Sequence, residues 1–123
     1  MTKYLVFMSV VFASCAGHVT GSLRLDGELF AATTCRDGQT SGFSGVELGD
    51  DHGRRLRLAQ NLDGTLASVY FPPGSGRGDD LGACGGTLEV HHGERIPLFG
   101  DATITCKTEK HQLRGSASFE NCH

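Results

Sequence analysis

A chain of 123 residues is one domain's worth, long enough to bury one modest core and without a tryptophan to help fill it. Its formal charge of −3 comes from interleaved acids and bases. With no cationic stripe beyond Arg54-Arg55-Leu56-Arg57, it lacks the positive field that nucleic acid requires, and that partner class is set aside.

The first element is the run Tyr4-Leu5-Val6-Phe7-Met8-Ser9-Val10-Val11-Phe12-Ala13-Ser14-Cys15, led by one cation, Lys3. A short positive start, a helical apolar middle too short to span a bilayer stably and small residues at the exit form a secretory signal peptide. Its last four residues, Phe12-Ala13-Ser14-Cys15, resemble the lipobox of bacterial lipoproteins, with Phe12 where that family usually has Leu, Val or Ile. The resemblance implies a signal peptide over residues 1–14, removed just before Cys15. It also implies diacylglycerol and further acyl chains such as palmitate on that cysteine. The mature protein would then sit at the bacterial cell envelope, lipid-anchored and facing periplasm or surface, with the membrane as its partner through the anchor. Residues 15–20 form a short lipidated tether and residues 21–123 the domain.

Without Lys3, ten basic residues stand against fourteen acidic ones, a formal −4 for the mature chain. Five cysteines are an awkward number for a secreted protein. Once Cys15 is assigned to lipid, Cys35, Cys84, Cys106 and Cys122 remain, and an even set suits two disulfides in an oxidising compartment.

Eighteen glycines punctuate the whole chain, as they do where short strands meet in tight turns. Ser22 to Asp26 alternates with period two, as a half-buried strand does. Asp26-Gly27 is a hairpin signal, and Glu28 to Cys35 reads as the return strand. A polar loop over 36–42 precedes a brief strand around Val46-Glu47-Leu48 and a turn over 49–53. In Arg54 to Gln60, Leu56 and Leu58 face one way while Arg55 and Arg57 point to water. Asn61-Leu62-Asp63-Gly64 turns the chain into Thr65 to Phe71, a β-prone stretch. Pro72 to Ala83 carries two prolines and several glycines and reads as a mobile surface loop unable to hold a ladder. Alternation resumes at Thr87 to Val90. Residues 91–100 are irregular, with Ile96, Leu98 and Phe99 expected on the core. A last hairpin joins Ala102–Cys106 to Leu113–Phe119 around Thr108 to His111. About eight short strands with no helical periodicity predict an all-β domain, a small antiparallel β-sandwich or barrel.

Four cysteines allow three pairings, and register offers a preference. If the strand after Cys84 pairs antiparallel with the one ending at Cys106, Leu88 and Val90 share the face of Cys84, and Ala102 and Ile104 that of Cys106. Cys84 then faces Cys106, leaving Cys35 for Cys122. By loop-closure entropy the two bridges contribute roughly 3 and 4.5 kcal/mol.

No serine sits in a Gly-x-Ser-x-Gly elbow, and Gly42-Phe43-Ser44-Gly45 lacks the spacing. Zinc and copper favour His-x-His or His-x₃-His on one element; His91 and His92 are neighbours that point to opposite faces of a strand. His18, His52, His111 and His123 read as exposed turn or terminal residues. No metal ligand set and no cofactor is expected. The turn acids Asp50-Asp51, Asp63 and Asp79-Asp80 offer oxygen donors to calcium, but turns require the same residues for their backbone angles. Arg77-Gly78-Asp79 spells the tripeptide of integrin-binding ligands, a chance match in a glycine-rich loop.

A small all-β domain behind a lipobox, ending Gly115-x-x-x-Phe119-x-x-Cys122, is similar in layout to small bacterial lipoproteins of unassigned function. The expectation is a non-enzymatic envelope module, binding or structural, for a protein or glycan ligand. Arg77, Asp79 and Asp80 in the 72–83 loop are its candidate contacts. The alternative is a secreted hydrolase or calcium-binding protein with a site built from loop Asp and His residues.

Overall fold

The computed structural model describes residues 17–92 and 96–123; residues 1–14, read from sequence as a signal peptide, and Cys15 and Ala16 of the expected tether lie outside the described residues. Among the described residues ten strands form one antiparallel sheet: β1 (His18–Gly21), β2 (Arg24–Leu25), β3 (Glu28–Leu29), β4 (Ala32–Asp37), β5 (Gly45–Asp50), β6 (Arg55–Gln60), β7 (Leu66–Phe71), β8 (Asp79–His91), β9 (Leu98–Lys107) and β10 (Gln112–Cys122). From β4 to β10 each strand pairs with the next in sequence. Strands β1 and β2 lie end to end along the free edge of β10, and β3 folds back on β2.

The sheet curls until its margins meet. Strands β1 and β10 come against β4, where Gly17 packs on the backbone of Cys35. The Cys35–Cys122 disulfide crosses the seam, and the Asp37 N–H donates to the His123 carbonyl at 3.1 Å. Counting β1 and β2 as one wall and leaving aside the two-residue β3, eight strands surround the core, a number whose interior side chains can fill. Period-two alternation supplies that filling: Leu56 and Leu58 on β6, Ala102 and Ile104 on β9, and Leu113 and Ala117 on β10 all point inward and are buried.

The Asp26-Gly27 turn forms as its residues dictate, with φ of 55° and 86° at the two positions. The return strand does not run through to Cys35. It breaks at Phe30, which turns into the core at 3% exposure and donates its N–H to the Leu23 carbonyl. Burying that ring carries the chain from β3, at one margin, to β4 at the other.

Three further expectations are corrected. Residues 79–83 are strand, not loop: β8 begins at Asp79, with Asp79 opposite Tyr70 and Asp80 opposite Val69. Leu81, buried at 1%, holds this stretch to the core. The register slips one residue between Ala67 and Val69, a bulge closed by the Gly82 N–H donating to Asp80 Oδ1 at 2.8 Å. Of the apolar trio 96, 98 and 99, only Leu98 is buried; Ile96 and Phe99 are 59% and 39% exposed. Arg55 and Arg57 face outward but do not stand free in water. They clasp the buried Glu47 at 3.4 and 3.2 Å and stack on Phe71, with Arg57 also over Phe43. A carboxylate at 6% exposure needs such partners.

Candidate functional site

Polar side chains converge where the β2–β3, β7–β8 and β9–β10 connections meet. The β9–β10 turn is held by Thr108, whose N–H donates to the His111 carbonyl at 2.8 Å and whose Oγ1 accepts the His111 N–H at 3.0 Å. That turn aims the His111 ring between two carboxylates. Nδ1 lies 2.8 Å from Asp26 Oδ2, and Nε2 lies 3.0 Å from Asp79 Oδ2. Asp26 is itself oriented, its Oδ1 accepting the Gln112 N–H at 2.8 Å.

An ionised carboxylate only accepts, so with both acids ionised and pH below the raised His111 pKa both imidazole nitrogens donate and the ring is an imidazolium. The Asp26 hydrogen bond, then that of Asp79, raises the His111 pKa against the opposing effect of burial. For Asp26, burial pushes toward the neutral acid, but the bonds to His111 and Gln112 and the nearby positive charge outweigh it, and its pKa falls. Asp79 is lowered chiefly by its bond to His111.

The network extends across the same end. The Tyr70 ring meets His111 edge-on at 5.5 Å, and the Arg54 pKa is raised chiefly by Asp50 and, to a smaller extent, by Tyr70. Arg54 Nε donates to Asp50 Oδ2 at 2.6 Å and its guanidinium covers Phe30 at 5.1 Å. Three connections distant in sequence are thus tied by charge-assisted bonds. A general base needs a free lone pair; both His111 nitrogens are occupied by carboxylates, so the arrangement clamps turns and does not take a proton from a hydroxyl.

The acids singled out from sequence have other uses. Asp50 accepts from the N–H groups of His52 and Arg54, Asp51 from Thr33 Oγ1, and Asp63 from the N–H and hydroxyl of Thr65. Asp80 closes the β8 bulge. Among the described residues no group of three or more His, Cys, Asp or Glu side chains is arranged to hold a metal ion. Arg77, Asp79 and Asp80 do not form one displayed loop, because two of the three are strand residues. His111 was read as exposed, yet its side chain is 14% exposed. Its partners lie 85 and 32 positions away, and no local pattern announces them. The pairing Cys35–Cys122 and Cys84–Cys106 is that reached by the register argument.

Comparison of the chain with models of protein families, with curated proteins and with solved structures finds no match.

Proposed function

We propose that the chain is an exported bacterial envelope protein, lipid-anchored through Cys15, whose curled β domain acts as a non-enzymatic binding or structural module. The observation that carries this reading is the oxidation of Cys35, Cys84, Cys106 and Cys122 as two disulfides. Such bonds persist in oxidising compartments and are rare in the cytosol. The cysteine left over is the one that follows the apolar leader. Support for a non-enzymatic role comes from His111, the one histidine held between two carboxylates, whose nitrogens are both committed to them.

One acyl chain anchors marginally, whereas two or three hold firmly. Fractionation of cells making the wild-type chain and Cys15→Ser, with metabolic fatty-acid labelling, tests the anchor. The wild type is expected in the membrane fraction carrying label. Cys15→Ser is expected to lose both, and equal label and membrane association in the two proteins would reject the anchor.

A further inference from the structure

On the outer face, on the walls formed by β1, β8, β9 and β10, lies a groove of about 360 Å³, at the small end of the range for ligand pockets. Its floor is built by register. His91 stands opposite Phe99 across β8 and β9, and their rings stack at 5.2 Å with an interplanar angle of 29°. Next along the sheet, Asp101 pairs with Ser118, and Ser118 with Thr20, in one row across β9, β10 and β1. Beside them Glu120 pairs with His18. All seven side chains belong to exposed residues.

A bulge shapes this face. The β9–β10 register shifts between Phe119 and Cys122, and Asn121 adopts φ of 57°. Two residues of β10, Glu120 and Asn121, therefore stand against Phe99 alone, which places the Glu120 carboxylate beside the aromatic pair. Bulges commonly re-aim a side chain in this way.

We infer that this groove is a binding site for a neutral carbohydrate, one or two pyranose rings in size. A sugar ring presents an apolar C–H face and a rim of hydroxyls. The Phe99 ring, exposed at 39% and backed by His91, gives the first a flat apolar surface. Asp101 and Glu120 accept hydroxyl protons in charge-assisted bonds, and Thr20 and Ser118 both donate and accept. Charge sets anionic ligands aside. Among the described residues the groove is lined by neither Lys nor Arg, and Asp101, Glu120 and Glu89, which stands opposite Asp101, oppose an anionic ligand.

This assignment rests on the reading of the domain as a binding module. Anchoring is judged by fractionation and sugar binding on the purified chain, so either can fail while the other stands. The test titrates the full chain, with both disulfides formed, with neutral gluco-, galacto-, manno- and N-acetylglucosamine disaccharides, following backbone amide shifts; polylysine serves as the cationic comparison. At least one sugar should shift amides around residues 18–20, 99–101 and 118–120. Phe99→Ala and Glu120→Gln should each weaken that binding about tenfold or more at an unchanged melting temperature, the loss of roughly one stacked contact or one charge-assisted bond. The assignment is overturned if no neutral sugar binds, if both variants bind as the wild type does, or if polylysine is the sole ligand.

Discussion

His111 ties the β2–β3 turn, the start of β8 and the β9–β10 turn through its protonation state. Its pKa is raised above 6.5 in the fold. The stability it contributes is therefore complete below the unfolded value and is lost as pH climbs through the folded one. Asp26 and Asp79 are lowered from 3.8. Their contribution is complete above that value and is lost as pH falls through the folded ones. Tyr70 on β7 also faces the ring, and Lys110 on the same turn acts on Asp79. Because Asp26 and Asp79 are 44% and 35% exposed, solvent discounts the effect. The melting temperature should be level from about pH 4 to 6.5 and then decline by a few degrees, ~2–5 °C, on the alkaline side. His111→Gln should lack that alkaline decline. A decline of the same size in both proteins would show that another group carries it.

Among the elements, the passage from β7 to β8 is the one whose sequence most misdescribes it. Gly78 packs so closely that a Cβ there would lie 2.3 Å from Val69 Cγ1, and the Ser75 carbonyl accepts from Arg55. Glycine also serves inside β8. Gly86 has φ of 116°, and a Cβ at that position would come within 1.9 Å of the Thr103 carbonyl oxygen. Gly82, inside the stretch read as a loop, and Gly86 both belong to a thirteen-residue strand. Replacing residues 74–80 with a short Gly-Ser link should lower the melting temperature by roughly 10 °C, since it removes ladder bonds along with the Asp79–His111 contact. Replacing 74–77 alone should cost visibly less. Thermal unfolding followed by circular dichroism separates the two, and no change in the longer replacement would mean that the segment contributes nothing to the fold.

For the whole molecule, the two bridges act over very different lengths of chain. Cys35–Cys122 joins residues 87 apart and holds the seam of the curled sheet, whereas Cys84–Cys106 joins residues 22 apart on strands already laddered together. The longer loop loses more freedom in the unfolded chain. Removing Cys35–Cys122 by double serine substitution should cost about 4.5 kcal/mol and removing Cys84–Cys106 about 3. Both are large beside a total of about 5–15 kcal/mol. Urea denaturation of the two double variants gives the order, and a larger loss from the shorter loop would refute the chain-entropy account. Mass spectrometry of the alkylated, unreduced protein should find no free thiol among these four cysteines.

Alternation along the chain determined most of what is local. Leu56 and Leu58, Ala102 and Ile104, and the Asp26-Gly27 turn behave as their neighbours in sequence require, because a strand's side-chain period and a turn's φ demand are properties of a few adjacent residues. The Cys84–Cys106 pair was legible for the same reason, since parity from Leu88 and Ile104 carries to each cysteine without interruption. Cys122 was not legible by parity. Phe119 faces inward, so an unbroken strand would turn Cys122 out; the bulge at Glu120–Asn121 reverses the count and buries the sulfur opposite Cys35. Phe30 breaks a continuous β pattern for a like reason, because the core has a place for its ring and β4 must reach the far margin. His111 between Asp26 and Asp79, and the row Asp101–Ser118–Thr20, depend on which strands become neighbours and in what register. Those are settled by closing the sheet around one shared core, a long-range condition that no window of adjacent residues contains.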